Sequence, residues 1–211
     1  MLSDHTFLIT TAALLGVTHT LLGPDHYIPF VALGKARSWS LKRTLLITIL
    51  SGFGHVLSSV IIGLLLVFLG KEFLNFEMIE KFRGPLAAWL LFGFGVAYTL
   101  YGLRHAWLRR SNTEDRSGNS TSWLIFIIFA LGPCEPLIPL LMTPAAAIST
   151  TMLLTVSTVF LFATVGTMCT VVTLGCKSIE YLPKLRIGHL AHAFAGGAIT
   201  SCAAGMLFLG L

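Results

Sequence analysis

Residues 19–30 read His19-Thr20-Leu21-Leu22-Gly23-Pro24-Asp25-His26-Tyr27-Ile28-Pro29-Phe30. Three ionisable side chains lie inside an otherwise apolar segment, with a helix-breaking Gly23-Pro24 pair between them. Pro24 has no backbone donor and disfavours helix at the residue before it, so a helix entering this stretch must kink or unwind. At membrane depth, non-helical backbone is tolerated only against protein or a water-filled cavity. Ionisable groups at that depth mark a functional site.

The surrounding chain supplies the membrane. Of 211 residues 55% are hydrophobic and 11% are charged, with a mean hydropathy of +0.84. A soluble domain carries about 25% charged residues. The net charge of +5 is distributed over short segments between apolar runs, which argues for topology signals rather than nucleic-acid binding. The first residues, Met1-Leu2-Ser3-Asp4-His5, lack the positive n-region of a signal peptide, so the first apolar run is expected to be retained. Cys134, Cys169, Cys176 and Cys202 all fall within or at the ends of apolar runs, and this is no disulfide framework.

Six runs satisfy the roughly 20 residues that a spanning helix needs: 5–33, 42–69, 84–107, 122–143, 150–175 and 188–210. The expected fold is all-α and polytopic, with six transmembrane helices of which the first and fourth are broken. The stretch 110–121 alone has linker composition. It divides one membrane domain into a first three-helix repeat, residues 1–109, and a second, residues 122–211. Lys35, Arg37, Lys42, Arg43, Arg104, Arg109, Arg110, Arg116, Lys177, Lys184 and Arg186 gather on one side, with Lys71, Lys81 and Arg83 on the other. The positive-inside rule then predicts a cytoplasmic 110–121 linker and both termini outside.

The halves echo each other. Leu22-Gly23-Pro24-Asp25-His26 followed by Ile28-Pro29-Phe30 is matched by Leu131-Gly132-Pro133-Cys134-Glu135-Pro136 followed by Ile138-Pro139-Leu140. An odd number of helices per half makes the repeat inverted, a recurrent transporter plan whose broken helices meet at a midplane site. Gly23, Pro24, Gly132, Pro133 and Pro136 are therefore the expected helix-break and gating residues.

The candidate metal ligands are His19, Asp25, His26, His55, Cys134 and Glu135. On an unbroken helix His19 and His26 would be about 10 Å apart along the axis, too far to share an ion bound at about 2 Å. Unwinding at Gly23-Pro24 is what would bring them together. His55 falls on a stripe with Ser51, Ser58 and Ile62 that could face the first helix. Imidazole suits nickel, cobalt, copper and zinc; a thiolate at Cys134 would add copper, zinc or mercury to the range; and Asp25 and Glu135 would compensate a dication. His189 and His192, three residues apart, are either an accessory pair or packing residues.

Gly16-Val17-Thr18-His19 followed by Gly23-Pro24-Asp25-His26 resembles the signature helix of the nickel/cobalt transporter family and of its hydrogenase- and urease-accessory permease relatives. The five-residue gap between His19 and Asp25 is that of the accessory-permease version, with Thr20 where those carry Pro. Gly52-Phe53-Gly54-His55 is similar to their second helix. The resemblance covers roughly the first 60 residues and implies a divalent-metal permease, with His19, Asp25, His26 and His55 as metal-recognising residues. Gly132-Pro133-Cys134-Glu135-Pro136 is similar instead to the Pro-Cys breaks of the membrane thiol carriers of cytochrome c maturation, which need a cysteine in each half; here Asp25 stands at the matching position.

The expected function is secondary transport of a divalent transition metal, nickel or cobalt first, by alternating access, with no enzymatic activity. Alternatives are a thiol/disulfide electron carrier, a sulfur-compound or anion exporter, and an assembly factor that holds metal for a partner enzyme. No permanent cofactor is expected beyond the transported ion. The expected setting is a prokaryotic inner membrane, with the lipid bilayer and a metallochaperone or metalloenzyme as partners and no nucleic acid.

Overall fold

The computed structural model describes residues 2–69, 76–108, 118–132, 136–141, 143, 149–181 and 190–209. Among these every regular element is helical: α1 (Leu2–Leu22), a 3-10 turn (Pro24–His26), α2 (Ile28–Ala36), α3 (Leu41–Leu69), α4 (Phe76–Trp107), α5 (Gly118–Leu131), α6 (Leu137–Leu141), α7 (Thr150–Tyr181) and α8 (Ala191–Leu209). The long apolar helices are consistent with an integral membrane protein. Five helical stretches are long and apolar enough to cross a bilayer: His5–Leu22, Leu41–Leu65, Phe82–Trp107, Thr150–Ile179 and Ala191–Leu209. Of the six expected runs, the fourth does not give such a helix. It opens on the short apolar stretch Ser120–Leu131, and α6 follows after an interruption.

Both expected interruptions are present. α1 stops at Leu22, and Gly23 takes an extended conformation before the 3-10 turn. The lost helical bonds are replaced locally: Gly23 N–H donates to the His19 carbonyl and His26 N–H to the Gly23 carbonyl. Pro29 does no harm in the first turn of α2, where its missing N–H would be unpartnered anyway. In the second half α5 ends at Leu131 and α6 starts at Leu137, with Gly132 N–H donating to the Ile128 and Phe129 carbonyls. Pro133, Cys134 and Glu135 lie outside the described residues, as does His189.

Boundaries depart from the sequence reading where charged residues continue a helix. α4 begins at Phe76 rather than 84, so Arg83 is not a loop cation but a helical residue, partly buried, with Pro85 accommodated inside the same helix. α5 begins at Gly118, inside the expected linker, and α7 runs on to Tyr181.

Threonine hydroxyls add hydrogen bonds along the helices. Thr20, Thr48, Thr167 and Thr173 each donate to the carbonyl four residues earlier. α1 packs on α7, α5 on α3, α3 on α7, and α4 lies along α8. The α4–α8 seam is the tightest. A Cβ on Gly95 would meet the backbone nitrogen of Thr200 at 2.6 Å, and Cβ atoms on Gly196 and Gly102 would meet the backbones of Thr99 and Ala193. Small residues allow this approach, as at other interfaces between membrane helices. Two buried clusters flank the break at residues 23–27. One contains Phe30, Leu33, Phe129, Met168 and Ile199; the other contains Leu8, Val56, Leu137, Val156 and Phe160.

Candidate metal centre

The interrupted first helix delivers its two histidines to one place. The ring centroids of His19 and His26 are 4.7 Å apart, where an unbroken helix would separate them by about 10 Å. His55, from α3, completes the group, with its ring 5.1 Å from His26 and 6.2 Å from His19. One ring nitrogen from each of the three lies within 4.8 Å of the others. An ion held at about 2.1 Å would draw them in to roughly 3–3.5 Å.

The hydrogen bonds decide which nitrogens face inward. His26 Nδ1 is 3.0 Å from Asp25 Oδ1 and 3.1 Å from the Gly23 carbonyl, and both are acceptors. His55 Nδ1 is 3.2 Å from the Phe129 carbonyl, again an acceptor. In each ring Nδ1 therefore carries the proton and Nε2 presents a lone pair. The Nε2 atoms of His19, His26 and His55 are all buried without a hydrogen-bond partner among the described residues. An unpartnered buried polar group costs about 1–3 kcal/mol. Three such groups together approach the net stability of a domain, about 5–15 kcal/mol. Metal-binding histidines are characteristically fixed through the nitrogen that does not bind, by a carboxylate or backbone carbonyl.

Asp25 thus stands behind His26 rather than within the converging set. It orients His26, and its negative charge lies one imidazole away from the point where the rings meet. Gly23 makes this pairing sterically feasible, since a Cβ there would lie 2.6 Å from His26 Nδ1 and 2.8 Å from Asp25 Oδ1. On α3 the anticipated stripe does face inward. Ser51 and His55 are buried and Ser58 partly so, with the Ser58 hydroxyl donating to the His55 carbonyl. Pro24 breaks the helix above the group, and Gly132 approaches His55 from the second break. Pro136 and Gly132 both line the adjoining cavity.

That cavity has a volume of about 820 Å³ and includes all three histidines and Asp25 in its wall. Arg83 lies next to the cavity residues Gly84 and Pro85. It donates to the Ser58 hydroxyl at 3.1 Å and to the Gly132 carbonyl at 3.4 Å, tying α4 to α3 and to the second break. Sequence reasoning placed Arg83 in a loop because it sits among Glu77, Glu80 and Lys81. Its only sequence signal was immediate proximity to Gly84-Pro85.

A second histidine group was likewise not foreseen. His192 does not stand alone on its helix. Its Nδ1 is 2.8 Å from the Tyr98 hydroxyl, which also accepts from Arg37 Nε at 3.2 Å, and its ring is 5.9 Å from that of His105. This network joins the ends of α2, α4 and α8. Cys169 and Cys176 are partly buried and Cys202 is buried, and none of the three forms a disulfide among the described residues. Comparison with protein-family models, curated proteins and solved structures finds no match for this chain.

Proposed function

We propose that this protein is a secondary permease for a divalent transition-metal ion, nickel or cobalt first, which binds at His19, His26 and His55. The carrying observation is that three histidines converge, with one ring nitrogen from each within 4.8 Å of the others, while their Nε2 atoms are buried without a hydrogen-bond partner among the described residues and two of the rings are held through Nδ1. Asp25 orients His26 and offsets part of the ion's charge. Cys134 and Glu135 belong to the proposal as the opposing wall, on the sequence argument alone. Imidazole nitrogen favours nickel, cobalt, copper and zinc over magnesium or calcium.

Transport by alternating access draws support from the helix pairing. If α1–α2, α3 and α4 correspond to α5–α6, α7 and α8, then α1 on α7 is the counterpart of α5 on α3. On that correspondence the α3–α7 and α4–α8 pairs would each be their own counterpart about one pseudo-two-fold. Such cross-paired halves suit an inverted repeat that rocks about a site at its breaks. The orientation follows the basic-residue bias, with both termini outside.

The test is metal content and binding affinity of purified protein in nanodiscs, followed by uptake into proteoliposomes. Wild-type protein is expected to hold one nickel or cobalt per chain, with binding lost in His26→Ala and His55→Ala and kept in His105→Ala. Equal metal content in all four proteins would refute the site. Metal binding without uptake would favour an assembly factor over a permease.

A further inference from the structure

Building on the proposed metal site, we infer that the cargo enters as a complex with a small, anionic, partly apolar organic chelator rather than as a bare hydrated ion. The first argument is size. Six waters of hydration occupy roughly 180 Å³ at about 30 Å³ each, whereas the cavity against the histidines measures about 820 Å³. A pocket of that volume is in the range that holds organic ligands, about 300–1,000 Å³.

The second argument is chemistry. Polar groups gather at the histidine end, while Leu15, Leu22, Trp89, Leu91, Met206 and Phe208 line much of the rest. Of the other polar side chains described in the wall, the Thr18 hydroxyl donates to the Leu14 carbonyl and the Asp25 carboxylate accepts from His26. Three neutral nitrogens leave open positions on a six-coordinate ion, and the described remainder of the wall, being largely apolar, offers no further free donors to fill them. Shedding a hydration shell there is unfavourable for an ion that dehydrates reluctantly. A chelator that brings its own donors removes that step, and its rings or chain would cover Trp89 and Phe208.

The third argument is charge. Three neutral imidazoles leave a dication at +2; Asp25 behind His26 supplies one negative charge, Arg83 beside the cavity one positive charge, and Glu135, counted on the proposed function, one further negative charge, which leaves +1. A monoanionic chelator brings the assembly to neutrality, the state least penalised in a low-dielectric site. The occupant this cavity fits is therefore a one-to-one complex of metal and a bidentate monoanion with an aromatic or aliphatic body.

The experiment uses the full chain in nanodiscs with doubly labelled probes: radioactive nickel as the chloride, and the same nickel with carbon-labelled picolinate or 8-hydroxyquinolinate. The expected result is co-retention of nickel and chelator near one to one, at least tenfold tighter than nickel alone. Trp89→Ala and Phe208→Ala should each bring the ratio of chelate to free-nickel affinity down towards one, and thermal melting of each variant checks its fold. Retention of nickel with release of both chelators would overturn the chelate inference and leave the metal site standing. A chelate advantage untouched by both substitutions would also overturn it, as would co-purifying phospholipid that competes for the cavity while nickel binds alone. Failure of wild-type protein to retain nickel in any form would instead overturn the metal-site reading itself.

Discussion

Asp25→Asn separates a metal ligand from a residue that positions one. The Asp25 carboxylate lies 3.0 Å from His26 Nδ1. An ion on Nε2 of the same ring is then about 6–7 Å from that oxygen. At this distance a unit charge and a dication interact by roughly 1–5 kcal/mol for an effective dielectric between about 80 and 20. Asparagine keeps an oxygen that can accept from Nδ1–H, so the loss is electrostatic. Outer-shell carboxylates of metal-bound histidines are worth about 10–100-fold in affinity, or about 1.4–2.7 kcal/mol, the lower half of that Coulombic range. The expected outcome is therefore a 10–100-fold weaker dissociation constant for Co(II), with the visible absorption spectrum of the bound cobalt unchanged because the donor set is unchanged. His26→Ala should lose more affinity and alter the spectrum. An Asp25→Asn variant as damaged as His26→Ala, with an altered cobalt spectrum, would mean that Asp25 binds the ion directly and would refute the reasoning.

Other expectations follow from the same geometry. Gly23→Ala should weaken metal binding at least tenfold while the protein still folds, because the added Cβ displaces the His26–Asp25 pair; unchanged cobalt affinity would show that the break is not held as described. Metal binding should weaken on acidification, since imidazole binds only while Nε2 is deprotonated; Co(II) affinity measured across a pH series checks this, and pH-independent affinity would argue against histidine ligands. Gly196→Val should lower thermal stability in detergent by the roughly 1–3 kcal/mol typical of overpacking, because its Cβ meets the Thr99 backbone in the α4–α8 seam. Arg83→Gln should destabilise by about 1–3 kcal/mol through its lost charged hydrogen bonds to Ser58 and Gly132, an effect readable in the melting temperature and absent if Arg83 is merely a surface cation.

Much of this arrangement was legible in the residue order because membrane burial constrains sequence strongly. Long apolar runs without charge have few soluble explanations, and Gly23-Pro24 cannot continue an α-helix. The break and its consequence for His19 and His26 could thus be argued before any coordinates. Serine and histidine at helical spacing on α3 also announced which face turns inward. The departures came where sequence signals are weak. A run of charged residues at 77–83 reads as a loop when it is the first turns of α4, because helix ends in membranes tolerate charge that a hydropathy window rejects.

The sequence by itself determined the class of fold, the position of both interruptions and the membership of the histidine group, since these follow from backbone chemistry and burial that act within a few residues. Only the tertiary structure decided what each member does. Whether Asp25 faces an ion or the back of His26 depends on the packing of both side chains against Gly23, where a Cβ would collide with each. The orientation of His55 depends on a carbonyl 74 residues away at Phe129. Arg83 becomes part of the site only because α4 carries it to Ser58 and Gly132. These are contacts between distant segments, and no local pattern of residues encodes them.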